Sequence, residues 1–201
     1  MSRAGVTGIV LAGGAARRFG SDKLSAPYAG EPLLVRAVRA VATQASEVIV
    51  VAAPGDDRPL PDADVPVRRA VDPERHGGPL IGLLAGLELA REPIALIAGG
   101  DMPTLQETVL AALVRSLAAH EGAADASALV RRGSTQPLPI VVRNGAATQL
   151  ARRLVAEGER SIRALLGGLA TVRIEETEWR GLDPEAATLV DVDRPEDLPG
   201  T

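Results

Sequence analysis

The 201-residue sequence predicts one three-layer α/β/α domain around a mostly parallel, twisted sheet that includes at least one antiparallel strand. Three observations predict it. Short, β-branched apolar runs alternate with stretches of helical periodicity, the pattern of strand–helix–strand units. Glycines and acids follow directly on several of these runs, as they do at the carboxyl ends of buried parallel strands. One pair of runs, 126–130 and 137–143, is separated by a tight turn at Gly133-Ser134 instead of a helix, which brings in an antiparallel strand.

Each element has its own justification. Residues 7–12 (TGIVLA) read as a buried strand, and residues 32–44 place apolar side chains at 34, 35, 38 and 41, one stripe of a helix. Residues 48–52 form a second strand and 65–71 a third. The Pro- and Asp-rich stretch 54–66 between them is a long surface loop. Residues 80–90 are helical and 94–98 are a fourth strand. Thr104 is placed to cap the helix that runs to about residue 119. Helices over 146–157 and 161–166, then strands over 170–174 and 189–192, complete the chain.

Composition excludes several functions. Hydrophobic residues are 46% and charged residues 24%, an ordinary globular balance. The absence of cysteine excludes a disulfide scaffold, a thiolate metal site and a cysteine nucleophile. His76 and His120 are the only histidines, too few for a histidine-rich zinc site, and the sequence gives neither a partner that would make it a base. A net charge of -4 offers nothing to nucleic acid or an anionic membrane. Aromatics are 1%, so the core is aliphatic and there is no stacking platform for single strands. With no secretory h-region and no apolar run of about 18 residues, a soluble cytoplasmic protein is expected. All basic residues except Lys23 are arginine. One surviving lysine hints at a task for a compact point charge that a broad guanidinium cannot perform.

The chemistry gathers at the strand ends. The first strand runs into Leu11-Ala12-Gly13-Gly14, then Arg17, Arg18, Asp22 and Lys23. Glycines let backbone amides form an anion-binding nest, and Arg17 and Lys23 add charge for phosphates. Neither a Walker A ending nor GxGxxG is present, so a Gly-rich turn with solvated arginines stands beside that reading. The fourth strand ends Gly99-Gly100-Asp101-Met102-Pro103. A carboxylate there is placed to hold Mg²⁺, which binds through one or two carboxylates plus phosphates, or to cap the next helix, for which Thr104 is better placed. Asp72 ends the third strand, before Gly77-Gly78, as a contact for a base or ribose or as an ordinary turn aspartate. Near the chain end, alternation puts Asp191 and Asp193 on one face of a strand, where they share a metal or face water.

In this order, LAGGAARRFGSDK, Gly78-Pro79-Leu80 leading into GLLAGL, GDMP, Gln136-Pro137-Leu138, Gly158-Glu159-Arg160-Ser161 and DVDRPEDL resemble the molybdenum cofactor guanylyltransferases, a family within the nucleotide-diphospho-sugar transferase-like superfamily. The resemblance spans nearly the whole chain. It implies a Rossmann-like nucleotide-binding half over about 1–104 and an acceptor-binding half over about 105–201. It implies Mg²⁺-dependent transfer of GMP from GTP to molybdenum-bound molybdopterin with release of pyrophosphate. It leaves room for transient contact with proteins that deliver the pterin or mature molybdoenzymes. By position, Leu11, Ala12, Gly13, Gly14 and Gly78 would line the nucleotide, and Asp72 would contact the nucleoside. Arg17 and Lys23 would neutralise the triphosphate, and Asp101 would hold Mg²⁺. Arg160 and the final motif would face the pterin.

Three departures from the family pattern bear on substrate. Asp191 and Asp193 stand where the family usually has asparagines, and Val51-Ala52-Ala53 is apolar where a polar residue is common. Phe19 replaces a usual methionine, a packing change. The first two keep open cytidylyl transfer to molybdopterin or to another phosphorylated metabolite. A non-catalytic nucleotide-binding or cofactor-carrier protein on the same fold is the reading of a different class.

Overall fold

The computed structural model describes residues 5–13, 22–74 and 77–199. In chain order, β1 (Val6–Leu11) is followed by a short ribbon of β2 (Pro27–Tyr28) and β3 (Glu31–Pro32). Then come α1 (Leu33–Ala42), β4 (Glu47–Ala52), β5 (Val67–Val71), α2 (Pro79–Leu89), β6 (Ile94–Gly99) and α3 (Glu107–Ala119). The second half adds β7 (Ala126–Arg131), β8 (Ser134–Arg143), α4 (Asn144–Ala156), α5 (Ile162–Gly168), β9 (Thr171–Ile174) and α6 (Glu176–Trp179).

One sheet of seven strands runs β5-β4-β1-β6-β8-β7-β9. β5, β4, β1 and β6 are mutually parallel, β8 is antiparallel to both β6 and β7, and β9 is parallel to β7. The central strands are apolar on both faces because both faces are covered. Alternate residues divide between two cores. Val10, Val48, Val50 and Leu96 pack with α1 and α3, while Ile9, Ile49, Val51 and Ile97 pack with α2, α4 and α5. Gly86 lets α2 press onto the sheet, since a Cβ there would lie 2.9 Å from Ile9 and Val51.

The chain moves from β1 outward to β4 and β5, then crosses back to β6 on the other side of β1. The carboxyl ends of β1 and β6 therefore flank a topological switch point, where ligands of open α/β sheets bind. At the opposite, amino end, buried Glu47 accepts from Thr7 Oγ1 at 3.0 Å, from Arg68 Nη2 at 2.8 Å and from the Arg91 N–H at 3.2 Å. Burial alone would raise its pKa, but these donors outweigh it and hold the carboxyl below its ordinary value.

Two expectations need correction, and one ribbon is added. Residues 189–192 are not a strand: a 3-10 turn (Ala187–Leu189) leads into irregular backbone, in which Val192 N–H donates to Asp101 O at 3.0 Å. Thr104 does not cap α3, whose N-cap is Gln106. The Thr104 hydroxyl instead donates to Ala187 O at 2.7 Å, tying α3 to the final segment. The β2–β3 ribbon was not foreseen. Its turn places both Ala29 (φ 51°) and Gly30 (φ 88°) in the left-handed region, as a two-residue hairpin requires.

Candidate active site at the carboxyl ends of β1, β5 and β6

Backbone hydrogen bonds bring the strand ends together. Ala12 N–H donates to Val51 O at 2.8 Å, Asp72 N–H to Ala52 O at 2.8 Å and Gly100 N–H to Leu11 O at 2.9 Å. Leu11, Ala12, Gly13, Asp72 and the loop after β6 thereby share one rim of the sheet. Asp72 Oδ1 accepts from Glu74 N–H at 3.0 Å, which is the turn role. Its other oxygen lies over two glycines: a Cβ would be 3.7 Å away at Gly13 and 2.9 Å away at Gly82. A carboxylate oxygen in this position lies beside the start of the glycine loop.

The charged centre forms around Lys23, which opens a 3-10 turn (Lys23–Ser25). Its Nζ donates to Asp101 Oδ2 at 3.0 Å and to Asp193 Oδ1 at 2.9 Å. The lysine side chain is 13% exposed, against 33% for Asp101 and 59% for Asp193, so the cation is the innermost member. Burial is the largest single influence on the ammonium and lowers its pKa. The hydrogen bonds and charges of Asp193 and Asp101 outweigh it and hold the group above its usual value. Gly99 seats Asp101, because any side chain at 99 would collide with Asp101 Oδ1.

The final segment reaches this centre through a chain of hydrogen bonds. Buried Asp183 accepts from Ala187 N–H at 3.0 Å and Thr188 N–H at 2.8 Å, and Thr188 Oγ1 accepts from Gln106 N–H at 3.1 Å. Val192, buried between two exposed aspartates, is then held on the backbone of Asp101. Asp191 and Asp193 are brought to the same place as Asp101 without the strand expected for them. Loss of hydration, and then the charges of Asp193 and Asp101, push the Asp191 carboxyl above its usual range.

Lys23, Asp101, Asp191 and Asp193 converge, and Leu11, Ala12, Gly13 and Asp72 border them along the strand ends. Gly78 sits differently. Its φ of 96° starts α2, and a Cβ there would lie 2.7 Å from the Arg160 side chain. Arg160 O accepts from Leu80 N–H at 3.1 Å, and the guanidinium donates to Val155 O and Glu159 O. Gly78 and Arg160 thus form one joint between α2 and the loop before α5. Gly14, Arg17 and His76 lie outside the described residues. His120 Nδ1 pairs with Ser116 O at 2.8 Å, a helix-end contact.

Two arginines escaped the sequence reading. Arg58 Nη2 pairs with Asp22 Oδ1 at 3.0 Å and Asp56 Oδ2 at 3.1 Å, joining the 53–66 loop to the residue before Lys23. Arg36 Nε donates to Pro103 O at 2.9 Å, bracing the loop that carries Asp101. Neither belongs to a motif; both are loop or helix arginines in an arginine-rich chain.

The donor set suits a hard cation. Asp101 and Asp193 already place two carboxylate oxygens about one positive charge, and oxygen ligands are what Mg²⁺ takes. Among the described residues no group of three or more His, Cys, Asp or Glu forms a ready cage. A cation here would complete its shell with water and phosphate oxygens, as Mg²⁺ does. Among the described residues no helix is long and apolar enough to cross a membrane.

Comparison with known proteins fits this geometry. The MobA-like NTP transferase domain family matches residues 8–173. A probable molybdenum cofactor guanylyltransferase of Chloroflexus aggregans is 36% identical over 96% of this chain and 91% of its own. A molybdenum cofactor guanylyltransferase of Burkholderia vietnamiensis is 34% identical over 85% of each chain. The solved molybdopterin-guanine dinucleotide biosynthesis protein A of Archaeoglobus fulgidus superposes with a TM-score of 0.75 at 21% identity, covering 95% of this chain and 94% of that one, a likeness of fold. An NTP-transferring domain over most of the length, and guanylyltransferase relatives at this identity, place the chain in the MobA-like molybdenum cofactor guanylyltransferase family of nucleotidyltransferases.

Proposed function

We propose that the chain transfers GMP from GTP to the terminal phosphate of molybdenum-bound molybdopterin, forming the guanine dinucleotide cofactor and releasing pyrophosphate, in the cytoplasm. The observation that carries this reading is the convergence of Lys23 and Asp101 at the switch point beside the Leu11–Gly13 strand end. The part of the chain to about residue 104 binds the nucleotide, and the remainder binds the acceptor.

The attacking atom is a phosphate oxygen of the acceptor, already largely ionised at neutral pH. It forms a bond to the α-phosphorus of GTP as the bond to the pyrophosphate oxygen breaks. No strong general base is needed, which suits a site whose charged members, among the described residues, are Lys23 and aspartates. The difficulty is holding two anions together, so catalysis is positioning and charge neutralisation. Leu11, Ala12, Gly13 and Gly14 line the nucleotide; the Ala12 N–H is held by Val51 O, so the amides that meet the phosphates are those of Gly13 and Gly14, and Asp72 orients the nucleoside near Gly13 and Gly82. Gly78 shapes the start of α2 beside the nucleotide. Arg17 and Lys23 stabilise charge on the departing pyrophosphate. Bound Mg²⁺ supplies further neutralisation of the reacting phosphates, held by Asp101 with Asp193 or Asp191 as second ligand.

The test is to mix the purified protein with molybdopterin, Mg²⁺ and GTP, CTP or ATP in turn, and to follow pyrophosphate and the dinucleotide product. Product with GTP alone is expected. Product with CTP alone makes the chain a cytidylyltransferase, and no pyrophosphate with any nucleotide makes it a nucleotide-binding carrier.

A further inference from the structure

We infer that Lys23 is the resting counter-ion of the Asp101–Asp193 pair, so that the site admits a divalent cation together with a nucleoside triphosphate and excludes the free ion. This rests on the nucleotide-binding reading of the site. Three observations support it. The ammonium hydrogen-bonds one oxygen of each carboxylate, at 3.0 and 2.9 Å, and so stands in the space between them. It is nearly enclosed, with 13% of the side chain exposed, whereas both carboxylates open to solvent. The carboxylates come from distant parts of the chain, and the Val192–Asp101 backbone bond joins the two segments that carry them, so both segments remain at the site when the cation between them changes.

A free divalent cation that enters must displace an ammonium whose two hydrogen-bonded partners are these carboxylates, and Asp191, a further carboxylate that its charge reaches, belongs to the same cluster. Two positive ions would then crowd the same oxygens, which is costly at such short range. A triphosphate removes that conflict. Its oxygens offer the ammonium a new partner, and the flexible lysine side chain reaches them without moving its backbone. Cation and nucleotide therefore favour each other's binding, by the same factor in both directions. The carboxylates stay paired while the site is empty, and the lysine reaches the phosphates only when cation and substrate arrive together.

Lys23 is the only lysine, so protein labelled with ¹³C,¹⁵N-lysine gives a single side-chain signal. Free Mg²⁺ is expected to leave that signal in place, and GTP with Mg²⁺ to shift it. If Mg²⁺ alone shifts it over the same concentration range, Lys23 is no barrier and the inference falls. A second measurement is Mn²⁺ binding without nucleotide, read by electron paramagnetic resonance. Lys23→Met should bind free Mn²⁺ at least about tenfold more tightly than the wild type, because one opposing unit charge is gone. Lys23→Arg, which keeps the charge, should not. Equal affinity in wild type and Lys23→Met overturns the inference. Neither readout needs an acceptor or turnover, so a protein that passes both and makes no guanine dinucleotide contradicts the proposed reaction alone. One that makes the product and fails both contradicts this inference alone.

Discussion

The two ends of the same parallel strands each carry an ion-paired cluster, and the clusters are built to opposite plans. At the amino end, Glu47 is buried and bonded by Thr7, Arg68 and the Arg91 N–H, while Arg68 also donates to Leu89 O. That network closes on itself and joins β1, β4, β5 and the end of α2. At the carboxyl end, one ammonium serves Asp101 and Asp193, with Asp191 beside them, its pKa raised by loss of hydration and then by their charges. Among the described residues, negative charge is left in excess and open to solvent. A satisfied buried network holds the fold, whereas an unbalanced, half-open one invites a cation and the phosphates that accompany it.

The comparison breaks most severely if the open cluster proves dispensable. Asp101→Ala should lower kcat/KM for GTP about a thousandfold, roughly 4 kcal/mol of transition-state stabilisation. Circular dichroism should show a melting transition close to the wild type, since Asp193 still pairs with Lys23. The closed cluster should behave the other way. Glu47→Gln should cost about 3 kcal/mol in urea unfolding at pH 7, because it breaks a buried ion pair. Steady-state KM for GTP should stay near the wild-type value.

The same residue gives a pH signature. The folded pKa of Glu47 lies below its ordinary 4.5, so its contribution is complete above that value and is lost as pH falls through the depressed one. The stability gap between wild type and Glu47→Gln should therefore narrow on acidification below about pH 4.5. Unfolding curves at stepped pH read this directly; a gap that widens contradicts the assignment.

Two smaller effects sharpen the contrast. Lys23→Arg keeps the charge yet should reduce turnover about tenfold, because a planar guanidinium does not replace a compact ammonium between two carboxylates. Wild-type rates would make the solitary lysine a matter of composition. Thr188→Val removes the acceptor for Gln106 N–H and should cost about 1 kcal/mol. It should also loosen the final segment, seen as faster amide exchange at Val192, whose N–H is bonded to Asp101 O.

Much of this was legible in the sequence because parallel strands buried on both faces produce unmistakable apolar runs, and glycine or aspartate directly after such a run marks the functional rim. Lys23, Asp101 and Asp193 were each singled out, but their contact was not. Lys23 and Asp193 are 170 positions apart, and only the folded chain joins them. The Leu189-Val190-Asp191-Val192-Asp193 alternation misled for a physical reason. A segment with one buried valine held by a single backbone bond to a neighbouring loop shows the same period as a paired strand over so few residues. Thr104 looked like a cap, but its hydroxyl is engaged by Ala187 O, a partner no local pattern announces. Arg58 and Arg36 were hidden by abundance, since an arginine that braces a loop resembles every other arginine in the chain.

The most direct test of the central claim uses GTP labelled at its α-phosphate, with Mg²⁺, molybdopterin and either the wild type or Asp101→Ala. The account predicts that label passes into the guanine dinucleotide with the wild type and stays in GTP with a folded Asp101→Ala protein. Equal transfer by the two proteins would contradict it, because the chemistry would then lie somewhere other than the carboxyl end of β6.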